Sequence, residues 1–532
     1  MATQAVGSDF TKQLGRLYGT YTGGFLAFVI LLALLELVGV PNRVLGYLFV
    51  FFTLAVYAII GVMTRTMQIS EYYVAGRRVP AFYNGMATGA DWMSAASFVG
   101  MAGTLFLLGY DGLAWVLGWT GGYVLVAVLV APFLRKFGAY TVPDFMSHRF
   151  GGNFARFLAV IVLVCCSFTY VTAQIYGTGL IASRFLGIPF EIAVFVGLLG
   201  ILLCSMLGGM RAVTWTQIAQ YIVLIIAYLT PIVILSTQHY GIPIPQLMYG
   251  QAIQEITARE GVMLQQGLAT AAALKPHTSP FFTYSTLNYF GIIVCMMVGT
   301  ASLPHILMRY FTTPSVREAR VSVAWSLFFI FLLYFSAPAY AAFSKLEVYT
   351  NIIGRDVSQL RPWLFTWGEL GLIQICGKNA ASLDAVVAAC KAVAGHAGVV
   401  RLQDFAINTD VIVLSTPEIA GLPYVISGLV AAGGLAAALS TADGLLLAIA
   451  NALSHDVYYK MIDPNAGTAR RLVVARVLLV VVAVIAAYLA STKPGDILAM
   501  VGWAFSLAMA GNFPALVLGI WWKRTTTLGA VL

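Results

Sequence analysis

The chain has 532 residues, 60% of them hydrophobic and only 10% charged. That much apolar sequence excludes a water-soluble enzyme and specifies an integral membrane protein embedded in a lipid bilayer. The formal net charge of +9 would suit nucleic acid, but the basic residues sit in short loops between apolar runs, so no nucleic-acid partner is expected.

Twelve segments approach the ~20 apolar residues that a bilayer-spanning helix needs. They are 22–40, 44–64, 85–107, 113–133, 154–180, 188–208, 213–237, 282–305, 321–344, 421–454, 470–490 and 497–521. The runs are too long, and too free of alternation, for a barrel of strands. The first two form a hairpin joined by Pro41-Asn42-Arg43, with Glu36 near its outer end reaching the interface. The first run is too long for the core of a cleaved signal, and another helix follows at once.

The third segment carries Ala90-Asp91-Trp92-Met93-Ser94, with Asn84-Gly85 and Gly89 just before it. A carboxylate in hydrocarbon is costly and reads as functional, and a loosened helix offers carbonyls to a small cation. Loop 134–153, with Asp144, His148 and Arg149, reads as a structured cytoplasmic connector. The eighth segment contains Gly291, Gly299 and Pro304, then His305 beside Arg309, which reads as a satisfied helix-end histidine. The tenth holds Ser440, Thr441 and Asp443, and ends near His455-Asp456, a pair read as structural. No Arg or Lys is placed deep in the third, fifth, eighth or twelfth segment. After Lys523-Arg524 the run to Leu532 reads as the start of a further helix, as in a fragment of a longer chain.

Cys165, Cys166, Cys204 and Cys295 lie in helices and read as packing residues. Cys376 and Cys390 share one outside loop, where a disulfide and two unpaired thiols both stand open. There is no zinc spacing and no phosphate-binding GxxxxGK[ST] loop. With the N-terminus cytoplasmic, most of the 30 Lys and Arg fall in cytoplasmic flanks; the opposite orientation would put Arg135-Lys136 and Arg470-Arg471 outside. The third segment then runs outward and the eighth inward. The expected division is a tail and hairpin over 1–64, two antiparallel five-helix sets over 85–237 and 282–521 (with outside loop 345–420), and the start of another helix at 522–532. Inverted repeats of this kind place their site near the midplane, on the broken first helix of each repeat.

At this point several motifs resemble one family. Ser205-Met206-Leu207-Gly208-Gly209-Met210-Arg211-Ala212, followed by Val213-Thr214-Trp215-Thr216, is similar to the signature of the sodium:solute symporters. Tyr73 to Arg77, Asp91 to Phe98, Leu303 to Arg309 and Ser454 to Tyr458 most resemble the cation/acetate branch. The resemblance implies an all-α, LeuT-like inverted five-plus-five repeat in the cell membrane, with the N-terminal hairpin added. It also implies a sodium site between the third and tenth segments. Its ligands would be the carbonyls of Ala90, Met93 and Ala437 and the hydroxyls of Ser440 and Thr441. Hard oxygen donors suit the ion, although both hydroxyls could instead bond back to the preceding turn.

Some relatives carry a second cation site with an Asp after Trp-Thr, where this chain has Gln217. Asp91 and Asp443 fall where those relatives have Ser or Thr, so the two together are expected to bind a second cation or a proton. In the competing reading each Asp pairs with a basic or hydrogen-bonding neighbour and holds helices together. Candidate solute contacts are Ser94, Ser97, Gln174, Asn288, Trp503 and Ser506, any of which could equally be interhelical glue. The resulting expectation is a sodium-coupled symporter of a small organic solute, acetate or another short monocarboxylate. Proline, pantothenate or a sugar on the same machinery, and a membrane sensor module, are the alternatives.

Overall fold

The computed structural model describes residues 8–532; residues 1–7 of the tail, and the Cys204 side chain, lie outside the described residues. Among the described residues ten helices are long and apolar enough to cross a membrane. The difference from twelve arises in two places. The third and fourth segments are separate helices, Met101–Leu108 and Leu113–Leu125, joined by the tight turn Gly109–Gly112, and the unbroken run Ala96–Phe137 is therefore counted once. The sixth is shorter, Phe190–Leu203, and is continuous with the seventh in a long helical run, Phe190–Tyr240. That run kinks at Gly209, whose φ of 57° and ψ of −142° no L side chain adopts comfortably. A Cβ there would also stand 2.6 Å from the Tyr72 ring, so the glycine of the family-like motif is required twice over.

Helix starts follow local chemistry. Thr141, Ser285 and Ser315 each accept a hydrogen bond from the N–H three residues on, satisfying one donor the first turn leaves free. The start of Tyr424–Asn451 is capped from a distance: Glu36 accepts from the N–H groups of Tyr424 (2.7 Å) and Val425 (2.8 Å). Glu36 therefore does not simply reach for the interface. Its charge sits at the positive end of another helix.

Tyr424–Asn451 is the axis of the molecule. Its most apolar window is 94% buried, against 33% for Thr468–Ser491. It packs on Gly152–Leu186 and on the 190–240 run. At its far end Arg156 donates to Asp144 (3.0 Å) and Asp456 (2.8 Å), and the Thr141 hydroxyl donates to Asp456 (2.6 Å). This buried group ties the connector helix Val142–Phe150 to two spans, as a structural reading of Asp456 requires. On the opposite side a three-stranded sheet (Lys378–Asn379, Ile373–Ile375, Phe405–Ile407) and the bonded pair Cys376–Cys390 organise the long loop. Of the helical cysteines, Cys166 is buried, Cys295 half-buried and Cys165 exposed.

Candidate cation and solute site

The third segment is broken where its sequence loosens. The helix Ala81–Trp92 ends at Met93 (φ −76°, ψ 70°), and regular structure resumes at Ala96–Gly100 and Met101–Leu108. In an unbroken helix the N–H groups of Ser94 and Ala95 would donate to the carbonyls of Ala90 and Asp91. Here Ser94 N–H turns to the Trp92 carbonyl (2.8 Å), and Ala95 N–H donates to Gln174 Oε1 (2.8 Å). Two carbonyls in the middle of the protein are thereby freed.

Ser440 and Thr441 meet those carbonyls from the central helix. Ser440 Oγ lies 2.7 Å from the Ala90 carbonyl and 2.9 Å from that of Ala437. Thr441 Oγ1 lies 2.8 Å from the Asp91 carbonyl and 3.3 Å from that of Ala437. The hydroxyls bond both back along their own helix and across to the broken one. Four of the five expected sodium ligands, Ala90, Ala437, Ser440 and Thr441, converge with the Asp91 carbonyl, and Met93 stands at the break itself. Gln217 holds the arrangement from behind by donating to the Ser440 carbonyl (2.7 Å).

The carboxylates behave differently from one another. Asp91 is fully buried and accepts from Arg309 Nε at 2.8 Å, and Arg309 is equally buried. Arg309 Nη1 donates to Thr214 Oγ1 (3.1 Å), while its Nη2 has no partner among the described residues. No basic residue is expected deep in the eighth segment (282–305); Arg309 lies just beyond it and is nonetheless fully buried. Arg309 follows the short helix Pro304–Met308, and that second broken segment carries the guanidinium inward. Asp91 thus pairs with a basic neighbour rather than joining Asp443 alone. Asp443 is also fully buried, within electrostatic reach of both Asp91 and Arg309, and the Ser205 hydroxyl stands beside its carboxylate. Gly444 allows the approach, since a Cβ on it would run into the Asp91 carboxylate.

Beside the break lies a cage of aromatic rings. Trp92 stands edge-on to Tyr123 (4.9 Å), Phe505 (5.6 Å) and Trp119 (6.4 Å), and Tyr170 to His305 (5.5 Å) and Phe505 (5.8 Å). Ser94, Ser97 and Gln174 are brought here; the Ser97 hydroxyl pairs with that of Tyr334 (2.9 Å). Asn288, Trp503 and Ser506 are not. Asn288 is exposed in the first turn of Thr286–Thr300, and Trp503 and Ser506 share the exposed face of Ile497–Gly511, whose inward face carries Phe505. His305 is not the satisfied helix-end histidine expected, because it is 1% exposed with neither ring nitrogen partnered. Arg309, Thr214, Trp119, Tyr123, Tyr170 and Phe505 were not singled out from sequence. The only signal for Arg309 was the Pro304 break that precedes it.

A sequence profile of the sodium:solute symporter family matches residues 72–356 and 389–532. The chain belongs to the sodium:solute symporter family. An uncharacterized symporter of Cupriavidus necator is 44% identical, over 98% of this chain and 88% of that protein. A solved Na+-coupled sialic acid symporter in a substrate-bound outward-open state aligns with TM-score 0.64 at 18% identity, over 91% of this chain and 89% of that one. A nucleobase-cation-symport-1 family transporter, closed with bromovinylhydantoin bound, aligns with TM-score 0.49 at 12% identity, over 85% and 81% of the two chains. The symporter is a multi-pass membrane protein of LeuT-like fold, a transporter rather than an enzyme, and sodium is its co-transported ion.

Proposed function

We propose that the symporter imports a short monocarboxylate of the size of acetate, coupled to sodium bound by Ala90, Met93, Ala437, Ser440 and Thr441. The observation that carries the sodium site is the pair of carbonyls freed at Met93–Ser94, met by two adjacent hydroxyls. An entering cation takes lone pairs from about five such oxygens, with no fixed geometry demanded. Bound sodium then ties the broken helix to the central one, and by linkage a solute that favours the same state raises sodium affinity by the same factor.

The solute reading rests on the cage. Trp119 Nε1, the Tyr123 hydroxyl and Gln174 Nε2 are buried donors without partners among the described residues. Neutral donors suit a small anion, since hydrogen bonds to a charged acceptor are the strong ones. Ser94 and Ser97 complete the reading; Asn288, Trp503 and Ser506 serve it only if the exposed faces they occupy line the solute's path. The two repeats are assigned to 85–237 and 282–521, with 1–64 as the tail and added hairpin. A cytoplasmic N-terminus agrees with the basic short loops, and with a disulfide-bearing loop on the opposite, oxidising side.

The test is uptake of radiolabelled acetate into proteoliposomes, with and without an inward sodium gradient, for wild type and Ser440→Ala/Thr441→Ala. Sodium-driven uptake that disappears in the double variant is expected. Uptake indifferent to sodium would sink the ion site, and no uptake of any short monocarboxylate would sink the solute assignment.

A further inference from the structure

The sequence reading places a second cation or a proton at Asp91 and Asp443, yet a charged side chain already stands there. We propose that the Arg309 guanidinium is a built-in cation that takes the place of a second transported one, so that the symporter binds a single sodium. This rests on the sodium site proposed above.

Three observations carry it. Arg309 and Asp91 are both fully buried and joined at 2.8 Å, so the positive charge is fixed inside the protein rather than reached from solvent. The guanidinium spans three elements. It follows Pro304–Met308, bonds Asp91 on Ala81–Trp92, and bonds Thr214 on the 190–240 run at 3.1 Å. Finally, Asp443 lies beside the Ser205 hydroxyl and within electrostatic reach of both Asp91 and Arg309, so the same cation serves both carboxylates through the field. Gln217, on the same run as Thr214, is uncharged and is spent on the Ser440 carbonyl.

Formal charge then favours one ion. With both carboxylates ionised, Asp91, Asp443 and Arg309 sum to one negative charge. One sodium at Ala90, Ala437, Ser440 and Thr441 brings the buried group to neutrality. Before any solute enters, a second would leave an uncompensated positive charge in a low-dielectric interior, which is strongly disfavoured.

The experiment counts bound 22Na+ on purified protein in nanodiscs, and needs no knowledge of the solute. Wild type is expected to bind one sodium per chain with a Hill coefficient near one. Arg309→Gln removes the built-in cation, and its stoichiometry is expected to rise to two. Arg309→Lys keeps the charge and should stay at one. Asp91→Asn/Arg309→Gln removes a charge of each sign and should also stay at one, which separates charge from folding. Two sodium ions on wild type, with only one lost in Ser440→Ala/Thr441→Ala, would overturn the inference and leave the sodium site standing. Arg309→Gln still binding one ion with unchanged affinity would also overturn it. No binding by wild type, or binding untouched by Ser440→Ala/Thr441→Ala, would remove the sodium site and the inference with it.

Discussion

Two buried ionic clusters sit at different levels of the same bundle, and they are built on opposite rules. In the cluster of Asp144, Arg156 and Asp456, both oxygens of Asp456 accept hydrogen bonds and Asp144 is joined to the same arginine. In the cluster of Asp91, Arg309 and Asp443, only one Asp91 oxygen is joined to the arginine, and Asp443 makes no ion pair among the described residues and has only the Ser205 hydroxyl beside it. A buried polar group left without a partner costs on the order of 1–3 kcal/mol, more if charged. A fold retains such groups where a ligand completes them. The first cluster has the character of a joint and the second of a site. The distinction lies in the carboxylates, since each arginine leaves one nitrogen without a partner among the described residues, Arg156 Nε in the first cluster and Arg309 Nη2 in the second.

The largest effect that would break the comparison comes from the site. Ser440→Ala/Thr441→Ala removes two hydroxyls that bridge to the broken helix but leaves no charge unpaired. The half-saturating sodium concentration is expected to rise by ~100-fold, with the thermal midpoint nearly unchanged. Sodium titration of uptake, beside a melting curve in detergent, reads both. A large loss of stability with normal sodium affinity would turn the site into a joint.

The reverse is expected of Arg156→Ala. It strands Asp144 and Asp456 in the interior, and breaking a buried pair from one side costs about 3–5 kcal/mol. The denaturation midpoint should fall sharply, while the folded fraction keeps its sodium half-saturation within about twofold, the scatter ordinary for a remote change. A sodium affinity that collapses together with stability would show that the joint is part of the site.

Much of this was legible in the chain. Long apolar runs give the membrane class, and short motifs of small and hydroxyl residues carry the family likeness that brings Ala90, Ala437, Ser440 and Thr441 forward as candidates. Arg309 was not readable. By position it sits at the end of an apolar segment, next to further basic residues, and only the break before Pro304 turns it inward. Helix phase was the other gap. On Ile497–Gly511 nearly every position is apolar, so nothing in the pattern says that Phe505 faces in and Trp503 out. The cap from Glu36 to Tyr424 spans 388 residues of sequence, and no local signal predicts it.

A carboxylate between the two extremes sharpens the rule. Asp410 is fully buried outside the spans and accepts from the Ile497 N–H at 3.1 Å, with only a 3.4 Å contact from Thr409 on its other oxygen. Burial, with Asp496 close by, pushes its carboxyl from the usual 3.8 up to about 7. The folded state therefore holds a proton that the unfolded chain gives up near 3.8. The stability this contributes is complete below that pH and is lost as pH rises toward 7. Stability is expected to fall between about pH 4 and 7, by an amount on the order of a few kcal/mol, and the thermal midpoint falls with it. Asp410→Asn should flatten the profile. A midpoint that rises with pH in wild type and not in the variant would show Asp410 to be better paired when ionised.

The smallest effect belongs to Glu36, whose two oxygens are both occupied by backbone N–H groups. Glu36→Gln keeps one acceptor and removes the charge facing the helix start. The expected loss is about 1 kcal/mol, the ordinary cost of weakening an N-cap. Because the capped helix is the one that carries Ser440 and Thr441, sodium affinity is a fair control. If satisfaction separates joints from sites, Glu36→Gln lowers the melting midpoint slightly and leaves sodium half-saturation where it was. A change in sodium affinity without a change in stability would mean that the N-terminal hairpin reaches the site through the central helix. A fully paired carboxylate could then act at a distance, and the rule drawn from the two clusters would need a mechanical term.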